Sequence, residues 1–449
     1  MSTRKQLRLG AFMRPVSIHT GAWRYPGAWP DANFNFERLK QLAQTLERGR
    51  FDAFFMADHL ALLNMPIEAL QRSHTATSFE PFTLLSALAQ HTQHLGLIAT
   101  ASTTFDEPFH IARRFASLDH LSGGRAGWNI VTTSNPDAAL NFGREDHMEH
   151  DARYDRAREF HDVVTGLWDS WEDDSFVRDK DSGQYFHEDK LHVLHHKGKH
   201  FSVRGPLNVS RSPQGRPVVV QAGASEAGRD LAARTAEVIF VAHQTFDEAK
   251  SFYRDIKDRA QAYDREPESI KIMPGIFPVV GRTQEEAEEK FALLQDLVHP
   301  VVGVSLLSNV IGGFDFSGLP VDGPVPELPE TNGPKSRQRL LLDLARRENL
   351  SIRDLYLRIA GARGHQQVVG TPQSIADQLQ QWFEEGGADG FNIMSPWFPG
   401  GLQDFIELVL PELRRRGLVR TEYDGSTLRE HLGLQRPRHG QRRAAVSAA

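Results

Sequence analysis

Three polar side chains stand where apolar runs of the sequence end. Asp58 closes the run FDAFFMAD, Thr104 follows HLGLIATAST, and Ser225 comes shortly after PVVVQ. A carboxylate or hydroxyl at the carboxyl end of a parallel strand lies at the edge where βα barrels carry their sites. Each residue also has a structural alternative, because Asp, Ser and Thr often cap the helix or loop that follows a strand. For Asp58, position alone leaves the two interpretations equal.

The segment around Ser225 has the composition of an anion-binding turn. Small residues precede a helix predicted over residues 226–235. Unpaired N–H groups at a helix start bind phosphate where small residues permit close approach. The sequence GASEAG lacks the Gly-Lys-Ser/Thr ending of nucleoside triphosphate loops, which excludes that class. The turn therefore predicts a contact with the phosphate of some other ligand.

Two further polar residues share one helical face. His150 and Tyr154 stand four residues apart in a helix predicted over residues 150–170, so their side chains lie on the same side. His19 belongs to a Trp-, Pro- and Gly-rich loop after the first predicted strand, where it could line a pocket. A surface loop held in place by its aromatic residues is an equal alternative for His19.

Histidines are concentrated in the charged, turn-rich segment 171–216, which contains His187, His192, His195, His196 and His200. The segment has no carboxylate–histidine spacing of the metalloprotease kind, and its alternating pattern is typical of a polar hairpin. The chain has no cysteine, which excludes disulfides, thiolate metal ligands and a cysteine nucleophile. We therefore expect no metal site.

Apolar strands alternate with helical patterns along most of the chain, which predicts an α/β fold of the (β/α)8 TIM barrel type. The eight strands are predicted at residues 7–12, 51–58, 94–103, 125–131, 217–223, 238–242, 270–280 and 390–394.

We expect one domain over residues 1–434 with insertions at about 171–216 and 305–338. The second insertion is rich in Gly and Pro from Gly312 onward, and a loop of this length is usually a lid or a substrate loop. A contact with a neighbouring subunit is the alternative. The basic, apolar-poor tail 435–449 is expected to be disordered.

Charge and hydropathy narrow the class of protein. The net charge of −6 does not indicate a basic surface that would bind nucleic acid or an anionic membrane. No apolar run reaches the length of a transmembrane helix, and the basic N-terminus lacks the apolar run of a signal peptide. These observations favour a cytoplasmic protein without a nucleic-acid or membrane partner.

Six motifs carry a resemblance to a known family. They occur in the family's order and span roughly residues 5 to 415. The chain resembles the flavin-dependent monooxygenases that include nitrilotriacetate monooxygenase component A and the dibenzothiophene-sulfone and long-chain alkane monooxygenases, a group of the bacterial luciferase-like superfamily. The motifs are FMADHLAL, SGGRAGWNIVTTSNPDAALNFG, HDARYDRAREF, HKGKHFSVRGPLN, PVVVQAGASEAGRDLAAR and GADGFNIM.

The resemblance implies a luciferase-like barrel that uses reduced FMN and O2 to oxidise a small sulfur-, nitrogen- or hydrocarbon-containing substrate through a flavin hydroperoxide. By matching position, Tyr154 and Ser225 would hold the FMN phosphate, and Asp58 and Thr104 would lie nearer the isoalloxazine and ribityl groups. The cofactor contacts implied in this way are Asp58, Thr104, His150, Tyr154 and Ser225, with Asn129 a further candidate.

We predict that His19 is the catalytic residue that handles a proton in this pocket. Phe12, Phe55 and Phe246 are candidates for its apolar wall, although core packing is an alternative role for each.

The resemblance also implies partners. No GxGxxG motif follows a strand, so we find no dinucleotide-binding domain in the sequence. Reduced FMN is therefore expected from a separate NAD(P)H:flavin oxidoreductase, and the chain is expected to form a homodimer or homotetramer. Two alternatives stay open: an F420-type hydride-transfer reductase of the same superfamily, and a flavin-binding protein without turnover.

Overall fold

The structure is a computed structural model that describes residues 5–14, 16–329 and 335–440. Its centre is a barrel of eight parallel strands, which confirms the predicted (β/α)8 fold. The strands are β1 (Arg8–Met13), β2 (Ala53–Met56), β3 (Gly96–Ser102), β4 (Ala126–Val131), β5 (Val218–Gln221), β6 (Val238–Val241), β7 (Lys271–Val280) and β8 (Gly390–Ile393).

The barrel closes because β8 pairs with both β7 and β1. Leu9 lies beside Phe391 across the β1–β8 pair, and Asn392 lies beside Gly275 across the β7–β8 pair. Each strand thus neighbours the strands before and after it in the chain. All eight carboxyl ends consequently meet at one face of the barrel, where the predicted polar residues lie.

A ninth strand, Gln366–Gly370, was not predicted. It pairs in parallel with the second half of β7, outside the closed barrel. The sequence 363–372 has Gly and Pro near its ends and three β-branched residues among ten, so it has the composition of a link. The strand forms because β7, at ten residues, extends beyond its barrel partners and leaves an edge to pair with.

Helices surround the barrel and pack on the outward side chains of the strands, among them Leu9, Phe54 and Trp128. Inward side chains such as Phe55, Ile98 and Val220 fill the barrel itself. The outer helices are Phe36–Arg48, Pro81–Ala89, Pro108–Leu121, His150–Trp168, Glu226–Thr235, Phe246–Ala262, Gln284–Asp296, Pro372–Glu384, and Gly400–Asp404 continuing through a π turn at Phe405–Val409 to Leu410–Arg415.

The first insertion contains the predicted polar hairpin, with short antiparallel strands His196–Lys197 and Ser202–Val203. Short helical turns occupy further loops, at Ala22–Arg24, Ile67–Leu70, His74–Ala76, Asp137–Asn141, Glu188–Lys190 and Pro267–Ser269.

The second insertion is helical at both ends. Helix Pro300–Val310 covers the first part of residues 305–338, and helices Lys335–Glu348 and Ile352–Ala362 follow the irregular stretch. These helices share a hydrophobic core of their own, in which Phe316 is fully buried. Residues 330–334 lie outside the described residues.

The C-terminal segment seals the opposite face of the barrel. Helix Leu428–His431 places Leu428 against Gly96 and Gly127, at the amino ends of β3 and β4. The buried guanidinium of Arg420 donates to Asp52 Oδ1 at 2.7 Å, and Asp52 Oδ2 accepts from the Leu9 N–H at 2.6 Å. The amino-terminal face is therefore a structural closure, and the carboxyl-terminal face carries the candidate site.

The first part of the predicted tail contacts the rest of the protein. Residues 435–440 lie against the first insertion, where Arg436 pairs with Asp173 and the Pro437 carbonyl accepts from Arg211. These contacts are long-range and polar, and the composition of the tail gives no sign of them. Residues 441–449 of the predicted disordered tail lie outside the described residues.

Among the described residues, no single helix is long and apolar enough to span a membrane. The helices Gln284–Asp296 and Pro300–Val310 pass that test only as a pair, by length and composition, and they meet at 88°.

Candidate active site

The turn after β5 has the geometry of an anion cradle. Ser225 caps the helix Glu226–Thr235, and its Oγ accepts from the Gly228 N–H at 3.1 Å. A Cβ built on Gly223 would lie 3.2 Å from Gly228 Cα and 3.3 Å from the Tyr154 hydroxyl. Because Gly223 has no side chain, the start of the helix and the Tyr154 hydroxyl can approach this turn closely. Tyr154 and Ser225, which we predicted to bind the same ligand, both lie at this turn.

His150 lies next to this cradle on the exposed first turn of helix His150–Trp168. Its ring is 4.9 Å from the Tyr154 ring, and its Nδ1 contacts Asp151 Oδ1 at 2.9 Å. The two rings lie on one helical face, as their spacing predicts. His150 thus presents an aromatic edge beside the Tyr154 hydroxyl.

Asp58 follows β2 at the same barrel face and is partly buried. Burial raises the pKa of its carboxyl to about 6, with added repulsion from Glu80 and Asp106, against a hydrogen bond from the His59 N–H at 2.9 Å. A carboxylate whose pKa is raised in this way has few compensating donors. Asp58 is therefore suited to accept hydrogen bonds from a ligand.

Thr104 is fully buried, and its Oγ1 donates to the Thr132 carbonyl at 2.9 Å. Asn129 points into the barrel and donates to Thr100 Oγ1 at 2.9 Å. The other amide atom, Asn129 Oδ1, is buried and has no hydrogen-bond partner in the part of the chain that the structure describes. A buried acceptor of this kind costs stability unless a ligand or water satisfies it.

An aromatic cluster lines the barrel below this face. The ring of Phe12 lies 5.4 Å from Phe55 and 4.8 Å from Phe240. Two of the predicted wall residues are therefore in contact. The prediction for Phe246 was wrong, because its ring packs on Trp382 in the outer helical layer. Phe240, which sequence reasoning missed, takes the third position.

His19 is fully buried and has a partner at each ring nitrogen. Nδ1 accepts from the Gly21 N–H at 3.0 Å, and Nε2 lies 3.1 Å from Gln295 Oε1, to which it donates. Burial lowers the pKa of His19 to about 4. The imidazole is thus neutral near pH 7 and is held in one tautomer.

Arg14 and His59 form a pair at the carboxyl ends of β1 and β2 that sequence reasoning missed. Arg14 Nη2 lies 2.5 Å from His59 Nε2. The adjacent charge of Arg14 lowers the pKa of His59 to about 3. His59 is therefore a neutral acceptor. Both residues directly follow predicted strands, and that position is the signal that could have indicated them.

The histidines of the first insertion mostly pair with carboxylates, such as His196 with Glu159 and His200 with Asp155. Within the described ranges, one group could hold a metal ion: Glu172, His192 and His439 offer ligand atoms that lie within 4.8 Å of one another. This group lies where the tail meets the insertion, and it includes a tail histidine that the predicted cluster did not contain.

Comparison with known proteins matches residues 13–390 to the luciferase-like monooxygenase family. The chain is 52% identical to the N-acetyl-S-(2-succino)cysteine monooxygenase of Bacillus subtilis, over 97% of this chain and 98% of that protein. It is 49% identical to nitrilotriacetate monooxygenase component A of Aminobacter aminovorans, over 98% and 99% of the two chains. A solved structure of a riboflavin lyase with modified FMN and riboflavin has a TM-score of 0.87 at 35% identity, over 96% and 97%.

These matches extend over nearly the full length of the chain, and they include the strands, the polar strand ends and the turn after β5. The names of the curated relatives favour the monooxygenase prediction over hydride transfer and over flavin binding without turnover. The chain belongs to the luciferase-like monooxygenase family and is a monooxygenase.

Proposed function

We propose that this chain is the oxygenase component of a two-component system and that it binds FMN with the phosphate at the turn after β5. The observation that supports the proposal is the turn at Gly223, where the Tyr154 hydroxyl and the start of helix Glu226–Thr235 come close to one backbone position. The exposed end of helix Glu226–Thr235 adds N–H groups and a positive dipole end, which favour a phosphate.

The residues around the cradle suit this cofactor. Tyr154 and Ser225 would donate their hydroxyl protons to the phosphate, and His150 would flank it. Asp58 would accept a hydrogen bond from the polar part of the flavin or the ribityl chain, near the buried Thr104. The unpartnered Asn129 Oδ1 offers another acceptor within the barrel.

When bound, reduced FMN supplies the electrons that activate O2, so that one oxygen atom enters the substrate and the other leaves as water. The chain contributes a site that excludes water. The rings of Phe12, Phe55 and Phe240 give this site a dry wall, which lowers the local dielectric and limits wasteful release of peroxide.

His19 remains our proposal for the residue that handles a proton. Its Nε2 proton is held by Gln295 Oε1 in the structure, so the amide of Gln295 must release it before His19 can donate it elsewhere. If His19 instead only fixes the loop after β1, its replacement will alter stability and not the coupling of O2 to product.

We further propose that a separate NAD(P)H:flavin oxidoreductase supplies the reduced FMN, in the cytoplasm where NAD(P)H is present. The names of two relatives suggest the first substrates to test, namely N-acetyl-S-(2-succino)cysteine and nitrilotriacetate.

The cradle is tested most simply by filling it with Gly223→Ala. The atom nearest to the new Cβ is the end of the flexible Gln221 side chain, which can move, and the backbone of Gly228 lies 3.2 Å away. Thermal unfolding shows whether the variant keeps its fold. Isothermal titration should show FMN affinity at least ten-fold lower, which corresponds to about 1.4 kcal/mol. Gly318→Ala is the matched control, because nothing lies within 4 Å of its Cβ position. Equal FMN affinity in wild type and Gly223→Ala would remove the phosphate from this turn.

A further inference from the structure

Arg14 lies at the carboxyl end of β1 and has no counter-charge among the described residues. Its side chain is half-buried, and no carboxylate of the described residues lies within 4 Å of it. Its Nε is buried and has no hydrogen-bond partner within the described ranges. Buried Arg420 meets the carboxylate of Asp52, and buried Arg125 donates to backbone carbonyls. Arg14 has neither kind of partner among the described residues.

The groups around Arg14 do not neutralise it. His59 accepts its hydrogen bond but carries no charge, since the pKa of His59 is held at about 3. Burial likewise keeps His74 neutral by lowering its pKa to about 3, and the charges of Arg14 and Arg363 add to that effect. Asp58 is the nearest acid in sequence to His59, but burial raises its pKa, and its charged neighbours are Glu80 and Asp106.

A partly desolvated guanidinium is costly unless an anion accompanies it. Arg14 therefore has donor groups that an anionic ligand would satisfy. A guanidinium is also planar and can donate two parallel hydrogen bonds to a carboxylate, which adds orientation to attraction.

The position of Arg14 distinguishes this anion from the cofactor phosphate. β1 and β5 lie on opposite sides of the eight-stranded barrel, and the phosphate cradle follows β5. Phe12 precedes Arg14 by two residues and belongs to the aromatic wall with Phe55. An organic acid bound by Arg14 would thus have its apolar part beside this wall.

We propose that Arg14 binds a carboxylate of the substrate, so that the substrate of this monooxygenase is a small organic acid. This inference rests on the proposed function, because it places the substrate at the barrel face that we assign to FMN. Arg14 is then a residue that determines specificity: it orients the acid so that the oxidised atom faces the cofactor.

The test is isothermal titration of the FMN-loaded protein with acetate, succinate and citrate as probes, and with succinamide as the neutral counterpart of succinate. We expect wild type to bind at least one of the carboxylates and not succinamide. Arg14→Gln should weaken carboxylate binding at least ten-fold, whereas Arg14→Lys should retain part of it because the charge remains. The control Arg113→Gln removes the same charge from an exposed helical position and should change nothing.

The same titrations on protein without FMN separate this proposal from the proposed function. If FMN does not bind but the carboxylates bind through Arg14, only the cofactor proposal fails. Carboxylate binding that is unchanged in Arg14→Gln, or absent from wild type for all three acids, would overturn the Arg14 proposal. So would a variant that loses FMN affinity and keeps its carboxylate affinity, since Arg14 would then contact the cofactor. Thermal unfolding of Arg14→Lys and Arg14→Gln shows whether both variants are folded.

Discussion

Ser225 combines a structural role with the proposed binding role, and a matched variant can separate the two. Its Oγ accepts from the Gly228 N–H, which leaves the hydroxyl proton for a phosphate oxygen. Ser225→Ala should lower FMN affinity roughly ten-fold, because a hydrogen bond to a charged group contributes about 1.5–3 kcal/mol. Thr371→Ala removes a comparable helix cap away from the cradle and should destabilise the fold without changing FMN affinity. Isothermal titration and thermal unfolding measure the two effects.

Tyr154→Phe tests the second phosphate donor without removing the ring that packs beside His150. The hydroxyl lies at the Gly223 turn, so its loss should weaken FMN binding by roughly ten-fold while the melting temperature stays near that of wild type. The comparison uses the same titration as for Ser225. An affinity equal to that of wild type would exclude the Tyr154 hydroxyl from the phosphate site.

Asp58 gives a prediction about pH. Its pKa is raised to about 6, so the carboxyl is protonated below that pH and ionised above it. If the carboxylate must accept a hydrogen bond from the cofactor, kcat/KM should fall as pH drops through about 6. Asp58→Asn should lack this acid limb, and it should release more hydrogen peroxide per NADH consumed. A variant with the wild-type profile and coupling would leave Asp58 as a structural cap.

For single residues, the sequence predicts the place in the fold better than it predicts the hydrogen-bond and ion-pair partners. Asp58, Thr104 and Ser225 follow strands, so their place at one barrel face can be predicted from pattern alone. The contact between His19 and Gln295 joins residues 276 positions apart, and no local pattern indicates it. Whether a carboxylate of the described residues lies near Arg14 likewise depends on contacts between distant parts of the chain.

The second insertion is the segment that we predict to be a lid. The described part has Gly312 and Gly313 in left-handed conformations, while Phe314 and Leu319 are partly exposed. Phe316 is fully buried in the hydrophobic core of the insertion. Only the stretch around Phe314 and Leu319 therefore remains available to cover a substrate.

Limited proteolysis tests the lid. Cleavage within residues 305–338 should occur in the free protein and diminish when FMN and substrate are present, because a site of this kind must exclude water. Removal of residues 317–319 should increase peroxide release while FMN affinity stays near normal. If ligand gives no protection and the deletion leaves coupling unchanged, the segment is a subunit contact or a structural excursion.

The strands show which parts of the fold the pattern of apolar residues fails to predict. Strong apolar runs such as the one around β2 are recognisable without a structure, because strands of a parallel sheet are buried on both faces. The strand Gln366–Gly370 cannot be recognised in this way, because it pairs with one strand only and its sequence is short and partly polar. Its existence depends on the extra length of β7.

Across the whole molecule, the closed amino-terminal face provides stability and the other face provides the site. Arg420 and Asp52 are 7% and 2% exposed at the side chain, and removing one partner leaves a buried charge. Arg420→Met should therefore destabilise the protein by about 3–5 kcal/mol in urea unfolding, while FMN affinity of the folded protein stays unchanged. The double variant Arg420→Met/Asp52→Leu should recover part of the loss. A single variant as stable as wild type would show that the ion pair does not hold this face together.

The homodimer or homotetramer expected from the family remains a prediction, and light scattering would decide it. The exposed side chains of Leu62, Leu140 and Phe142 lie on two loops joined by the hydrogen bond from Asn141 to the Leu60 carbonyl, and they are the surface to alter first. Leu140→Asp should lower the measured mass if this surface is an interface.

The central claim is that this chain transfers one atom of O2 to its substrate with electrons from reduced FMN. In the most direct measurement, the protein receives FMN, NADH, a separate flavin reductase and one of the two proposed substrates under ¹⁸O₂. Mass spectrometry then analyses the product formed from each substrate. The account predicts one ¹⁸O atom in the product, one NADH consumed per product formed, and no product when the reductase is omitted. A product that forms without the label, or that forms equally well without oxygen, would contradict it.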